Sequence, residues 1–120
     1  MEKAAKELGG IDVLVYSVGI AMHTRFEDIT ELKKVHDTIF ESNFYGAVWC
    51  IHFALPHLKK SKGTLIAMSS LTGQLPAPYV SLYSGAKNGL NGICSIRTLI
   101  LKKSISCYKT INRVLGGIDK

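Results

Sequence analysis

The sequence predicts an α/β fold, a parallel sheet of about three strands packed against two long helices. Short apolar, β-branched runs alternate with longer stretches that have helical period, and glycines separate them. The 120 residues are 47% hydrophobic and 20% charged, which is ordinary for one globular domain. Strand–helix–strand order favours parallel pairing through right-handed crossovers.

The first element is predicted to be the end of a helix, over residues 1–8. Gly9 and Gly10 follow it in the position that favours a left-handed helix cap. The next run, residues 11–16, is apolar and bounded by turn residues, which predicts a buried parallel strand. We expect a loop over residues 17–26.

The first long helix is predicted to start at the Asp28-Ile-Thr-Glu31 segment, which resembles a capping box. Apolar residues then recur every three or four positions up to Leu58, as on a helix with one buried face. Pro56 lies inside this pattern and predicts a kink or an early end. The basic residues 59–62 and Gly63 close the helix.

The second half repeats this order. Residues 64–68 form a second apolar run that leads into Ser69 and Ser70, and residues 71–80 contain the glycine and prolines of a loop. A helical pattern returns from Ser81 to about residue 103. Residues 105–107 are predicted to begin a third strand.

The net charge of +6 does not by itself indicate a nucleic-acid partner. The lysines are scattered over helix ends and are not interleaved with aromatic residues, which is typical of solvated surfaces. The three cysteines and four histidines show no metal-ligand spacing. No run approaches the roughly 18 apolar residues of a membrane span, so the chain as written is predicted to be soluble.

Tyr83 and Lys87 lie four residues apart, one turn along a predicted helix. A free tyrosine is a poor base at neutral pH because its pKa is about 10, and a nearby ammonium favours the phenolate. The pair alone is weak evidence, because the chain has five tyrosines and an exposed helix pair is common.

Two further polar residues strengthen that interpretation. Ser70 follows an apolar strand, and in an open α/β sheet functional sites form at the carboxyl ends of the strands. Asn43 lies within the first long helix, although asparagine is a weak helix former. Such a residue is either exposed or held for a purpose.

Together these residues resemble the short-chain dehydrogenase/reductase family. The resemblance is carried by Ser70, the thirteen-residue step to Tyr83-Ser-Gly-Ala-Lys87, and Asn43 in Glu41-Ser-Asn-Phe-Tyr-Gly46. Residues 54–65, 69–73 and 95–98 are most similar to the 11β-hydroxysteroid dehydrogenase group. The resemblance implies a partial Rossmann-like fold over residues 1–107 and a divergent, poorly ordered tail over residues 108–120.

The resemblance also implies a role for each site residue. Tyr83 would be the general acid/base and would also contact the cofactor. Lys87 would favour the phenolate of Tyr83 and bind the nicotinamide ribose, and Ser70 would steady the substrate oxygen. Asn43 would hold a water that links Lys87 to solvent, and Gly19 would lie at the cofactor. The implied reaction transfers hydride between NAD or NADP and a secondary alcohol or ketone, including steroids or other lipophilic substrates.

Three features depart from the family pattern. No glycine-rich phosphate-binding turn is present, Tyr16-Ser-Val-Gly19 replaces the usual Asn-Asn-Ala-Gly, and no Pro-Gly turn follows Cys107. We therefore expect a chain that lacks the N-terminal cofactor-binding half and is inactive or weakly active alone.

Two alternatives to a weakly active enzyme stay open. One is a non-catalytic product that dimerises with a full-length family member through the two long helices. The other is an incomplete portion of a normal enzyme. The sequence leaves the location open, because full-length relatives can carry an endoplasmic reticulum membrane anchor.

Overall fold

The structure is a computed structural model that describes residues 1–75, 77–100 and 107–109. Its strands are β1 (Val13–Tyr16), β2 (Thr64–Ala67) and β3 (Cys107–Lys109). They form one parallel sheet in the order β1-β2-β3, so the predicted sheet is confirmed. β3 continues past the domain boundary predicted at residue 107, and the rest of the predicted tail lies outside the described residues.

Four α-helices accompany the sheet in the part of the chain that the structure describes. They are α1 (Glu2–Leu8), α2 (Leu32–Phe40), α3 (Gly46–Ser61) and α4 (Ser81–Ile100). A π-helical segment, Glu41–Tyr45, joins α2 to α3, so Leu32–Ser61 is the first predicted long helix and α4 is the second. Two 3-10 turns, Phe26–Asp28 and Leu71–Gly73, interrupt the loops.

The helix ends show where sequence patterns were sufficient. α1 ends at Gly9 with φ of 74°, the predicted left-handed cap. The predicted capping box at Asp28–Glu31 is wrong, because Asp28 closes a 3-10 turn and α2 begins only at Leu32, with Glu31 as an N-cap that makes no side-chain hydrogen bond. Glu27 and Asp28 therefore lie in a 3-10 turn that precedes α2, and not in the first turn of the helix.

Pro56 does not end α3 early, since the helix continues to Ser61. Pro56 is exposed, so water can satisfy the carbonyl that its missing N–H leaves without an intrahelical partner. The helix closes at Lys62, whose φ is 55°, and the N–H of Gly63 donates to the carbonyl of Leu58 at 2.8 Å. The chain then enters β2.

The core lies between one face of the sheet and the helices. Leu65 and Ala67 on β2 point to this face, together with Tyr16 at the end of β1. The other members of the core come from α1, its following turn, α3 and α4: Ala5, Ile11, Ala47, Ile51, Ala54, Leu58, Leu90 and Cys94. The spacing 47, 51, 54, 58 is the apolar period that the sequence predicts for the first long helix.

The opposite face of β1 is not covered by the described residues. Val13 and Val15 are each more than half exposed. β1 is also an edge strand in the described sheet. The prediction of a fully buried strand over residues 11–16 is therefore wrong in part, because only alternate side chains of β1 face the core.

Candidate active site

The site lies beyond the carboxyl ends of β1 and β2, where loops from both strands meet two helices. Gly19 follows β1, and Ser70 follows β2. The π segment contributes Asn43, and the first two turns of α4 contribute Tyr83 and Lys87. Parallel strands bring their carboxyl ends to one edge, so the topology places all these residues on the same side of the sheet.

Asn43 is fully buried at the centre of the π segment. Its Nδ2 donates to the carbonyl of Ile39 at 2.8 Å and to that of Ile20 at 2.7 Å. The side chain thus takes a carbonyl of the preceding helical turn and ties the helix to the loop after β1. Its Oδ1 is buried and has no hydrogen-bond partner among the described residues. A π segment at a polar residue is a common mark of a functional site.

Lys87 is buried, with only 3% of its surface exposed. Its Nζ donates to the carbonyl of Met68, at the end of β2, over 3.0 Å. The ammonium also lies 5.7 Å from the centroid of the Tyr83 ring, so the predicted helix-face pair is formed. Burial lowers the pKa of Lys87 below its usual value, because the charged form loses hydration.

Gly19 is the point at which Asn43 and Lys87 meet. A Cβ at Gly19 would lie 2.7 Å from Oδ1 of Asn43 and 3.2 Å from Nζ of Lys87. Only a residue without a side chain leaves both polar groups in place. Gly19 is therefore part of the packing of the site, whatever it contacts in a ligand.

Ser70 is the N-cap of the 3-10 turn Leu71–Gly73. Its Oγ accepts hydrogen bonds from the backbone N–H and the hydroxyl of Thr72, at 3.3 Å and 3.1 Å. With Oγ acting as acceptor in both bonds, the hydroxyl proton of Ser70 is free to be donated elsewhere. Ser70 is half-buried, as is Tyr83.

Sequence reasoning missed three features that shape this site. Met68 supplies the carbonyl that holds Lys87, Gly73 packs directly on the backbone of Lys87, and Asn91 donates to the carbonyl of Gly73. Asn91 could have been found, because residues 83, 87 and 91 follow the spacing of one helix face. The backbone carbonyl of Met68 leaves no sequence signal.

The glycines of α4 show why the site can be so compact. A Cβ at Gly89 would lie 3.0 Å from the ring of Phe44, so this glycine lets α4 approach the π segment closely. Nothing lies within 4 Å of the corresponding position at Gly92, so this glycine is not needed for close packing among the described residues. The approach at Gly89 brings Asn43 and Lys87 within reach of Gly19.

Comparison with known proteins identifies the family. The sequence profile described as short chain dehydrogenase matches residues 1–108. The chain belongs to the short-chain dehydrogenase family. An 11-beta-hydroxysteroid dehydrogenase-like 4A protein from Arabidopsis thaliana is 40% identical over 87 residues, which are 72% of this chain. The 11-beta-hydroxysteroid dehydrogenase A from Arachis hypogaea is 36% identical over 98% of the chain.

Solved structures of the family show the same fold. An archaeal alcohol dehydrogenase from Thermococcus sibiricus superimposes with a TM-score of 0.82 at 19% identity, over 90% of this chain and 45% of that one. An acetoin dehydrogenase from Salmonella typhimurium superimposes with a TM-score of 0.76 at 30% identity, over 87% of this chain and 42% of that one. The chain spans 29% of the length of the two plant relatives.

The described part of the chain can be searched for membrane-spanning helices and for clusters of metal ligands. Within it, no helix is both long and apolar enough to cross a bilayer. Nor do three or more histidine, cysteine or acidic side chains cluster there as they would around a metal ion.

The buried ammonium of Lys87 gives a stability test. Its pKa is lower in the folded chain than in the unfolded chain, so the unfolded chain binds more protons between the two values. The free energy of unfolding should therefore rise with pH through that window. We expect Lys87→Met to remove this rise in urea unfolding between neutral and alkaline pH. Lys59→Met, at an exposed position on α3, should keep it.

Proposed function

We propose that this chain supplies the proton-transfer residues of an oxidoreductase that exchanges hydride between NAD(P)(H) and a secondary alcohol or ketone. The observation that carries the proposal is the buried Lys87, held by the Met68 carbonyl beneath the ring of Tyr83. A buried cation is costly, and none of the acidic side chains that the structure describes forms an ion pair with Lys87. It adjoins the phenol whose deprotonation such a reaction requires.

Tyr83 serves as the general acid/base in this proposal. It donates its phenolic proton to a ketone oxygen during reduction and accepts the alcohol proton during oxidation. The ammonium of Lys87 stabilises the phenolate that remains after donation. Because Tyr83 is only half-buried, a substrate oxygen can reach it.

Asn43 continues the path of the proton. Its orphaned Oδ1 and the ammonium of Lys87 both border Gly19, so one water between them can accept from Lys87 and donate to Oδ1. Such a water explains why a buried acceptor lacks a protein partner. After Tyr83 has given up its proton, Lys87 can pass a proton to the phenolate and regain one from this water, which is resupplied from solvent.

A nicotinamide cofactor fits the chemistry of these residues. Lys87 has donors left after its bond to Met68, and they can hold hydroxyl groups of a ribose. Gly19 supplies an open backbone beside them. The cofactor would supply or accept the hydride. A structure of ElxO, which is 27% identical to this chain, has NADP bound, and this supports a nicotinamide dinucleotide as the cofactor here.

Ser70 completes the site by fixing the substrate oxygen. Its hydroxyl accepts two hydrogen bonds from Thr72, which directs its own proton outward. That proton can be donated to the same oxygen that Tyr83 protonates. The plant relatives named as hydroxysteroid dehydrogenases suggest a steroid or another lipophilic ketone as the substrate class.

We further propose that a polypeptide of these 120 residues alone binds the cofactor weakly. Its sequence contains no glycine-rich turn after a strand to hold the pyrophosphate. Val13 and Val15 on β1 also stay exposed when nothing covers them. Titration of the chain into NADPH, followed by nicotinamide fluorescence, should show no saturation up to high micromolar protein. Saturation at low micromolar protein would contradict this expectation.

The catalytic part of the proposal needs a chain that can bind NADPH. For this purpose we use a chimera that places the segment preceding the matched region of the Arachis hypogaea relative before this sequence, and NADPH titration checks that the chimera binds the cofactor. Turnover of a ketone by the chimera, measured as NADPH oxidation, supports the proposed function. A chimera that binds NADPH and oxidises none with any ketone or steroid offered would argue against it.

A second candidate function is dimerisation with a full-length family member. It is favoured by an aromatic stripe on the outer face of the first long helix, formed by Tyr45, Trp49 and Phe53, each exposed by at least 41%. The rings of Trp49 and Phe53 stack at 6.4 Å between centroids. Exposed stacked aromatic rings are typical of helix surfaces that pack against a partner.

The aromatic stripe can be tested by its effect on association. We expect Trp49→Gln/Phe53→Gln to abolish co-purification with a full-length family member and to leave the fold intact, because both side chains point away from the core. Circular dichroism checks the fold. Replacement of Lys59 and Lys60 by glutamine, on the same helix outside the stripe, is the control. Undiminished co-purification of the double variant would exclude the stripe as the interface.

A further inference from the structure

The turn that carries Ser70 is docked onto α4 through one carbonyl group. The carbonyl of Gly73, the last residue of the 3-10 turn, accepts a hydrogen bond from Nδ2 of Asn91 at 2.9 Å. It accepts a second from Nδ2 of Asn88 at 3.1 Å. Two amide side chains three residues apart on α4 thus converge on one backbone oxygen. The hydroxyl of Ser70, at the other end of the turn, has Thr72 of the same turn as its hydrogen-bond partner within the described residues.

Packing reinforces this contact. A Cβ at Gly73 would lie 3.0 Å from the carbonyl carbon of Lys87, from its Cβ and from Nδ2 of Asn91. Gly73 is buried, so the turn lies flat on the helix at the turn of α4 that holds Lys87. The position of Ser70 relative to Lys87 and Tyr83 is therefore fixed on two sides, by Gly73 after it and by the Met68–Lys87 hydrogen bond before it.

Asn91 is kept in this place at an energetic cost. It is only 7% exposed, and its Oδ1 has no hydrogen-bond partner among the described residues. A buried unsatisfied acceptor is unfavourable, and an apolar side chain of similar size would avoid that cost. The amide N–H of Asn91, which donates to the Gly73 carbonyl, is therefore the group that makes a stabilising contact.

We propose that Asn91 is a positioning residue that, with help from Asn88, fixes Ser70 opposite Tyr83 by holding the Gly73 carbonyl on α4. The inference rests on the proposed function, since it concerns how the hydroxyl of Ser70 meets a substrate oxygen. Asn91 itself touches neither substrate nor cofactor. Asn88 is exposed and contributes less, because water can replace its hydrogen bond.

The docking can be measured without any substrate, by hydrogen exchange of the turn amides in the 120-residue chain. The N–H groups of Gly73, Gln74 and Leu75 donate within the turn to the carbonyls of Ser70 and Leu71. In Asn91→Leu we expect their protection to fall by about fivefold, the factor that one neutral hydrogen bond contributes. Protection of the α4 amides should stay unchanged.

Two other variants test whether the loss of turn protection is specific to the Asn91–Gly73 hydrogen bond. Ser95→Ala is the control, and Asn91→Asp restores the donor at low pH. Ser95→Ala removes a hydrogen bond to the carbonyl of Asn91, one turn further along α4, and should leave the turn amides protected. Asn91→Asp has a carboxylate that cannot donate to Gly73, but a neutral carboxylic acid can. Turn protection in Asn91→Asp, compared with the wild type at each pH, should therefore recover as the pH falls.

The same variants in the chimera report on catalysis. We expect Asn91→Leu to lower kcat by about tenfold with a smaller change in KM for NADPH, because Lys87 stays in place. Turn amides that stay fully protected in Asn91→Leu would overturn the proposal, as would Asn91→Asp without pH-dependent recovery. A wild-type chimera without turnover would instead overturn the proposed function, and the exchange data would still decide whether Asn91 docks the turn.

Discussion

Replacement of Tyr83 by phenylalanine is expected to reduce ketone turnover in the chimera by about 10² to 10⁴-fold, the range for loss of a general acid. The variant keeps the ring that lies 5.7 Å from the ammonium of Lys87, so packing and the cation–π contact survive. It loses only the hydroxyl that exchanges the proton. NADPH binding, measured by fluorescence, should change little.

Tyr45→Phe is the matched control for this variant. Tyr45 is an exposed tyrosine that ends the π segment, and removing its hydroxyl should leave turnover at the wild-type rate. If Tyr83→Phe also kept most of the activity, the proton donor would have to be another group. Lys87 would then be a buried cation without a catalytic reason.

The sequence alone predicted the structure correctly where the local residue pattern and the order of the elements determine it. The order of strands and helices predicted the parallel sheet, and the spacing from Tyr83 to Lys87 predicted a shared helix face. Asn43 was predicted to be either exposed or held for a purpose, and burial decided between the two. Gly19, Asn43 and Lys87 lie far apart in the sequence and meet in the structure, because parallel strands end at one edge of a sheet.

The sequence was insufficient where backbone groups decide the structure. The π segment depends on the amide of Asn43 reaching the carbonyl of Ile39, and Lys87 depends on the carbonyl of Met68. Any residue type at positions 39 and 68 would offer those carbonyls, so no pattern marks them. The exposed face of β1 was missed for another reason. An apolar run has the same composition whether one face or both faces are covered.

Gly19 is the position in the site where an added side chain would have the least space. In Gly19→Ala the new methyl group would lie 2.7 Å from Oδ1 of Asn43, a distance at which one of the two must move. Asn43 cannot retreat without breaking its bonds to Ile20 and Ile39, and Lys87 is held by its bond to Met68. We therefore expect Gly19→Ala to destabilise the chain by about 1–3 kcal/mol, as overpacked sites do.

The comparison with Gly92→Ala separates this steric effect from the general effect of replacing glycine. Nothing lies within 4 Å of a Cβ at Gly92, in the interior of α4, so that variant should gain up to about 1 kcal/mol from helix propensity. Urea unfolding measures both. In an Asn43→Ala background the penalty of Gly19→Ala should shrink, because the obstructing oxygen is gone. An undiminished penalty would mean that Gly19 is constrained by something other than Asn43, and the packing of the whole site around it would have to be reconsidered.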